Sequence, residues 1–397
     1  MSAPIAPLRI AEPEPEEGSN AEVNARLRQD VPNSRPLPER DPRGTLRLVI
    51  EEGAPGFCQF ALNNACNARC GFCGFALDKL PRKDWHYVER EGALEAIDIL
   101  YRQSVRYLVL TGGEPMLHPD LLEIVQRAGR LGMTVLLVTN AGLLKPHRVR
   151  ELTSAGLSGV VISIDAANAE AHEKNRGLPG VCERIREANA VIDELGLHST
   201  ASVTMSRLVD YDALPDFLTS LGFRAVTFSY PLTKLDSNFL SYSDSDLVNY
   251  SEVELLEAFE RVKALKKRFR VVNPTSSLEE MQRFVRGQEQ RFPCLGGFQY
   301  FYLDWRLDLW RCHNWDRPMC NIKDFDGSQR VRDGCTKCMI DCYRDSSVMQ
   351  HAAVSLHDAF QSFKRGDVRG GAAALARKGN LGSMHAVLEQ LPWLLRL

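Results

Sequence analysis

Between residues 107 and 230 short apolar runs recur with helical segments between them, and this rhythm constrains the fold more tightly than any other feature of the chain. Tyr107–Leu110, Val135–Val138 and Val160–Ile162 carry no polar alternation, as suits strands buried on both faces. Val181, Ile185, Ala188, Ile192 and Leu195 fall at steps of three and four, which places them on one stripe of a helix. Strands begin about every 26 residues, near the ~30 of a βαβ unit. The series continues through 197–204 and 225–230 to a helix near 249–268. Such units, joined by right-handed crossovers, form a doubly wound sheet or a barrel, and a barrel gathers its reactive groups at the C-terminal ends of the strands. The residues that follow the runs fit this pattern. They are a cysteine loop after strand one, Gly112–Pro115 after two, Thr139 and Asn140 after three, Ser163 and Asp165 at the end of four, and Tyr230 after six.

A chain of 397 residues has room for one large domain and a smaller one. Residues 1–44 hold eight prolines among many charges, a composition that buries too little apolar area to offset chain ordering; a disordered arm is expected there. With 49 basic and 51 acidic side chains, no excess of positive charge draws the protein to nucleic acid. The first residues lack an apolar signal core, and no run approaches the roughly 18 apolar residues of a membrane span. A cytoplasmic protein is the expectation.

In a reducing compartment clustered cysteines are metal ligands or catalysts rather than disulfides. Of the 11 cysteines, Cys58, Cys66, Cys70 and Cys73 share one segment, while Cys294, Cys312, Cys320, Cys335, Cys338 and Cys342 share another. Cys58 and Cys182 read as packed thiols. The spacing Cys66-x3-Cys70-x2-Cys73 offers three thiolates on a loop after a strand; these hold three irons of a 4Fe-4S cluster with the fourth open, or form part of a zinc knot. In Gly112-Gly-Glu-Pro115 the glycines allow the backbone to approach a ligand, and Glu114 can accept from a bound ammonium. The same tetrapeptide also serves as a plain turn.

This triad, with the aromatic Phe72 before its last cysteine, resembles the radical S-adenosylmethionine (SAM) superfamily, as do the Gly-Gly-Glu-Pro turn and the order of the units. The resemblance covers roughly residues 57–270. It implies an α/β fold, a partial (β/α)6 TIM-type barrel over 45–275, in which Cys66, Cys70 and Cys73 ligate a cluster that reductively cleaves SAM to a 5′-deoxyadenosyl radical. It further implies that Phe72 packs near the adenine, that Gly112, Gly113 and Glu114 hold the methionyl amine, and that Ser163 and Arg176 contact the ribose and carboxylate. Asn140 is either a further SAM contact or a strand-end turn residue.

The second cysteine group, Cys294-x17-Cys312 followed by Cys335-x2-Cys338-x3-Cys342, brackets two aromatic-rich runs, Phe298–Leu303 and Arg306–Trp310. A hairpin of these runs brings Cys294 and Cys312 together. The group resembles the SPASM and twitch extensions of radical SAM enzymes, although Leu307 stands where a glycine is usual. That resemblance implies a small twitch-like iron–sulfur domain over 276–348 and hence two 4Fe-4S clusters in all. Its ligands are Cys294, Cys312, Cys335 and Cys338, with Cys342 as substitute; a zinc site is the alternative. Cys320 reads as a buried thiol. Tyr230 and His313 are candidate catalytic residues, and Asp304 and Asp316 are further polar groups for the barrel mouth, each with a structural role as the plainer reading. Residues 349–397 read as a helical tail docked on the barrel, with weak membrane association as the other reading. The expected activity is hydrogen abstraction from a small-molecule, sugar- or lipid-type substrate, served by an electron donor such as flavodoxin or ferredoxin. The alternatives are maturation of a ribosomal peptide or protein, and a non-catalytic iron–sulfur or zinc scaffold.

Overall fold

The computed structural model describes residues 42–231, 245–338 and 340–394, so most of the proline-rich arm lies outside the described residues. Strands β1 (Gly56–Ala61), β2 (Val105–Thr111), β3 (Thr134–Thr139), β4 (Gly159–Ile164), β5 (His198–Thr204), β6 (Ala225–Ser229) and β7 (Arg270–Val271) pair in chain order, and every pairing among them is parallel. Helix α1 (Pro42–Glu52) precedes them. The crossovers carry α2 (Arg90–Arg102), α3 (Leu121–Arg130), α4 (Pro146–Ala155), α5 (Ala169–Arg176), α6 (Val181–Glu194), α7 (Leu214–Ser220) and α8 (Glu252–Leu265). This is the mostly parallel, unclosed sheet of a partial TIM-type barrel. Helix α9 (Thr275–Val285) leads from β7 toward the second cysteine group.

The apolar runs form the strands because their side chains fill the space on both faces. Phe60, Leu108, Leu137, Ile162, Val203 and Phe228 belong to one buried cluster. On α6 the stripe Val181, Ile185, Ala188 and Ile192 is buried against the sheet, whereas Leu195 lies one residue past the helix end and is 37% exposed.

Beyond the barrel, β8 (Tyr300–Leu303) pairs parallel with β1, and β9 (Asp308–Trp310) and β10 (Cys320–Asn321) continue antiparallel. The auxiliary hairpin therefore extends the barrel sheet at its first strand. Its turn is organised by Asp304, whose carboxylate accepts from the backbone N–H of Arg306 (2.8 Å) and Asp308 (3.1 Å) and from Trp310 Nε1 (2.9 Å). Asp304 is thus a turn residue rather than a group at the barrel mouth. Leu307 adopts φ 67°, the left-handed conformation that makes glycine the usual residue at this position. Leu307→Gly is expected to leave the melting temperature within a few degrees of wild type, because relief of strain offsets lost packing. Leu307→Val should lower it, since β-branching deepens the strain; thermal melts of the two variants check this.

Helix α10 (Asp341–Lys364) runs unbroken across the expected boundary between residues 348 and 349, and is followed by α11 (Val368–Leu375) and α12 (Gly379–Leu394). Helix α12 docks through Glu389, which pairs with Lys266 at 2.5 Å and accepts from the Thr275 backbone N–H at 2.9 Å. Helix α1 is tied to α10 by His357, whose Nδ1 lies 2.8 Å from the Ile50 carbonyl. Among the described residues no helix is long and apolar enough to cross a membrane.

Candidate active site

A cavity of about 260 Å³ opens at the C-terminal ends of the parallel strands. Cys66, Cys70 and Cys73 line it together with Phe72, Gly112, Gly113, Glu114, Asn140, Ser163 and Arg176, so every residue expected to bind the cluster or cofactor lies on one surface. Thr111, Ser202, Thr204 and Ser229 also line it and were not singled out in the sequence. Their signal was the spacing Ser202-x-Thr204, because alternate residues of a strand share a face.

The Gly-Gly-Glu-Pro turn is bonded to the loop that follows β1. Gly113 N–H donates to the Asn63 carbonyl (2.9 Å), Glu114 N–H to the Ala65 carbonyl (2.6 Å), and Asn63 Nδ2 to the Glu114 carbonyl (3.0 Å). A Cβ on Gly112 would overlap the Asn63 carbonyl, and one on Gly113 the Ala65 carbonyl. Close approach between two backbones is therefore what requires glycine here. The Glu114 side chain is buried, and its oxygens accept from Met116 N–H (3.0 Å), Thr139 Oγ1 (2.8 Å) and Asn140 N–H (2.7 Å). Burial pushes its pKa up, and these bonds counter the rise. Asn140 also bonds Asn67 Oδ1 through Nδ2 (2.7 Å) and accepts from Gly142 N–H (2.8 Å). It thereby joins the end of β3 to the cysteine loop.

Arg176, the last residue of α5, is buried, and its Nη2 donates to Asp165 Oδ1 at 2.6 Å. Burial opposes its charge, but Asp165 and the neighbouring Cys70 and Cys66 hold its pKa above the ordinary arginine value. Its backbone carbonyl accepts from Arg69 N–H at 2.7 Å, which fastens the cysteine loop to α5. Burial pushes the Cys66 and Cys70 thiols each up to about 12 and raises Cys73 too, while Arg176 pulls in the opposite direction. Three soft donors on one loop, without a fourth thiol among the residues lining the cavity, fit a 4Fe-4S cluster with one iron left open. The buried guanidinium beside them suits a site that carries negative charge when loaded.

Neither candidate catalytic residue reaches this cavity. Tyr230 is fully buried against Phe259, and its hydroxyl donates to Asp345 Oδ1 (3.1 Å). It lies one residue beyond the lining residue Ser229 and so points to the other face of the strand. His313 is packed edge-on to Tyr302 and Tyr343, and burial pushes its pKa down to about 3. It is a neutral core imidazole. The group that does approach the mouth is Asp341, whose Oδ2 lies 3.5 Å from Ser229 Oγ. Burial and then the nearby Asp345 push its carboxyl up to about 7.

Cys294, Cys312, Cys335 and Cys338 line a different cavity, of about 400 Å³, with Asp316 and Tyr343 at its wall. The hairpin supplies Cys312, and Cys294 N–H donates to the Cys335 carbonyl at 2.7 Å. Buried Arg311 braces this wall: its Nε donates to the Gly296 carbonyl (3.1 Å) and its Nη1 to Asp333 (2.6 Å). Burial pushes Cys312 up to about 12 and Cys338 to about 11. Four thiols around one space match the donor set of a fully ligated cluster. Cys342 is not among the residues that line it. Its thiol is engaged with the Tyr300 hydroxyl. Cys320 has Asp324, Asp326 and Asp308 as its charged neighbours rather than other cysteines.

The three-thiol loop and the glycine turn thus stand together at the mouth of a partial parallel barrel. Residues 61–218 match the Radical SAM superfamily, so the chain carries a radical SAM domain over these residues. The AdoMet-dependent heme synthase of Methanosarcina barkeri is 32% identical over 161 residues, 40% of this chain and 45% of that protein. The GTP 3′,8-cyclase of Aquifex aeolicus is 28% identical over 225 residues, 53% of this chain and 64% of that protein. The chain thus spans less than two thirds of the length of these relatives. Among solved structures, Streptococcus suis SuiB bound to precursor peptide SuiA superposes with a TM-score of 0.54 at 15% identity, covering 82% of each chain. That likeness is one of fold.

Proposed function

We propose that Cys66, Cys70 and Cys73 hold a catalytic 4Fe-4S cluster, that SAM binds across the barrel mouth, and that the enzyme abstracts hydrogen from a small molecule, with a second cluster on Cys294, Cys312, Cys335 and Cys338. The observation that carries this reading is the convergence of the three thiols, the glycine turn, Glu114 and Arg176 on one cavity of about 260 Å³. A reduced cluster held by these three thiols would supply the electron for cleaving the SAM sulfonium C–S bond into methionine and a 5′-deoxyadenosyl fragment, the chemistry needed to take hydrogen from an unactivated carbon. The chain's own part is to place and shield. Glu114 accepts from the methionyl ammonium, Arg176 draws the carboxylate, Phe72 packs on the adenine, and the hydroxyls of Ser202, Thr204 and Ser229 face the substrate side. Both named relatives are called after small molecules, heme and GTP, which supports a small-molecule substrate over a peptide.

The test of SAM placement is Glu114→Ala. It removes the acceptor of three buried donors, Met116 N–H, Thr139 Oγ1 and Asn140 N–H. Each unsatisfied donor costs about 1–3 kcal/mol, and loss of a charge-assisted bond to the ammonium weakens SAM by about ten- to a hundredfold. Calorimetric titration with SAM should show that loss, and a thermal melt should show a drop in stability with it. Undiminished SAM affinity in a folded variant would remove Glu114 from the binding site.

A further inference from the structure

A separate cavity of about 340 Å³ meets the four-thiol cavity only at Cys294. Its floor is apolar, formed by Pro293, Leu295 and Val354, and its polar wall is made by Arg332, Arg377 and His351. Arg332 Nη1 and Nη2 each donate to Asp358 at 2.6 Å, and Arg377 Nη1 donates to the same carboxylate at 2.5 Å. One carboxylate against two guanidiniums leaves a positive charge, and each guanidinium keeps donors that Asp358 does not take. His351 is only 7% exposed, and its Nε2 is buried without a protein hydrogen-bond partner. A polar atom so placed costs free energy unless something in the cavity pairs with it. A Cβ on Gly379, the first residue of α12, would stand 2.7 Å from that nitrogen. His351 Nε2 therefore faces the N-terminal end of a 16-residue helix, where the backbone dipole favours anions.

We infer that this cavity binds the phosphate group of a small phosphorylated molecule. Arg332, Arg377 and His351 line it, and the donors that the two guanidiniums keep beyond Asp358 suit a polyvalent oxyanion. Burial, and then Arg377 and Arg332, push the His351 pKa down to about 4, so the ring is neutral near pH 7 and can present an Nε2–H. The cavity is larger than a bare phosphate needs, and the floor of Pro293, Leu295 and Val354 suits the organic body of an ester.

The test is calorimetric titration of the full-length, cluster-loaded protein under anaerobic conditions with phenyl phosphate and with inorganic phosphate. Saturable binding is expected. Tighter binding of phenyl phosphate assigns the site to an ester, and equal binding assigns it to free phosphate. Arg377→Gln should weaken both probes about ten- to a hundredfold. Asp358→Asn should tighten them, because it removes the competing carboxylate, and general damage to the fold would not raise affinity. Gly379→Ala, which drives a methyl against His351 without changing any charge, should weaken them, and it decides the matter with Arg377→Gln if Asp358→Asn fails to fold. Absence of saturable binding by either probe at millimolar concentration overturns the inference. So does unchanged affinity across the variants that fold.

Discussion

Replacing Cys66, Cys70 or Cys73 by Ala is expected to abolish release of 5′-deoxyadenosine when the anaerobically reconstituted protein is given SAM and a strong reductant, measured by chromatography against the wild-type chain. The geometry explains why each loss should be complete. The three thiols face one cavity, and its other lining residues offer hydroxyls, an amide, a buried carboxylate and a guanidinium but no further sulfur. Cys58, on β1, is fully buried with its thiol directed at the Gln59 carbonyl. Cys182 is on α6 and bonded to Glu173. Neither can move to the loop without dismantling a strand or a helix. A hydroxyl or carboxylate in place of a thiolate does not suit the soft iron site. Wild-type turnover in any one of the three variants would defeat the assignment of the radical chemistry to this loop.

How far the sequence revealed this arrangement depends on the range of the interactions involved. Strands β1 to β6 were legible because residues such as Leu108, Leu137 and Ile162 are buried in unbroken apolar runs, a signal that is local to each strand. Glu114, Asn140 and Ser163 were legible as lining residues because they stand at or just after the ends of those strands. Tyr230 shows the limit of that reasoning. It follows β6 as expected, but the side-chain period of two sends Ser229 to the cavity and Tyr230 into the core. Ser202 and Thr204 went unnoticed because hydroxyl residues within a strand resemble ordinary β-formers. Asp341 could not be read at all. Its approach to Ser229 joins positions 112 residues apart and arises only when α10 docks beneath β6. The pairing of β8 with β1 is likewise long-range, although the hairpin that starts with β8 was legible from its aromatic runs. Leu307 was visible as a departure from the glycine that the resemblance implies, and its φ of 67° is one that glycine adopts without strain.

The count of irons should separate the two cysteine groups: the loaded chain is expected to carry about eight irons in two 4Fe-4S clusters. Cys66, Cys70 and Cys73 line one cavity, and Cys294, Cys312, Cys335 and Cys338 line another with no residue in common, so the groups cannot share a site. Replacing the three loop cysteines together should leave about four irons, still bound by the hairpin group. Within that group, Cys294→Ala, Cys312→Ala, Cys335→Ala and Cys338→Ala should each remove or degrade the second cluster. Cys342→Ala should spare it, since its thiol is engaged with Tyr300 and lies outside the lining of that cavity. Iron analysis and electron paramagnetic resonance of the reduced variants read these outcomes directly. If Cys342→Ala strips the second cluster while Cys335→Ala or Cys338→Ala keeps it, the fourth ligand is Cys342, and α10 must shift at its first turn to deliver it. A total near four irons with one tightly bound zinc would make the hairpin group a structural zinc site, because four thiolates satisfy either metal and only the bound metal distinguishes them.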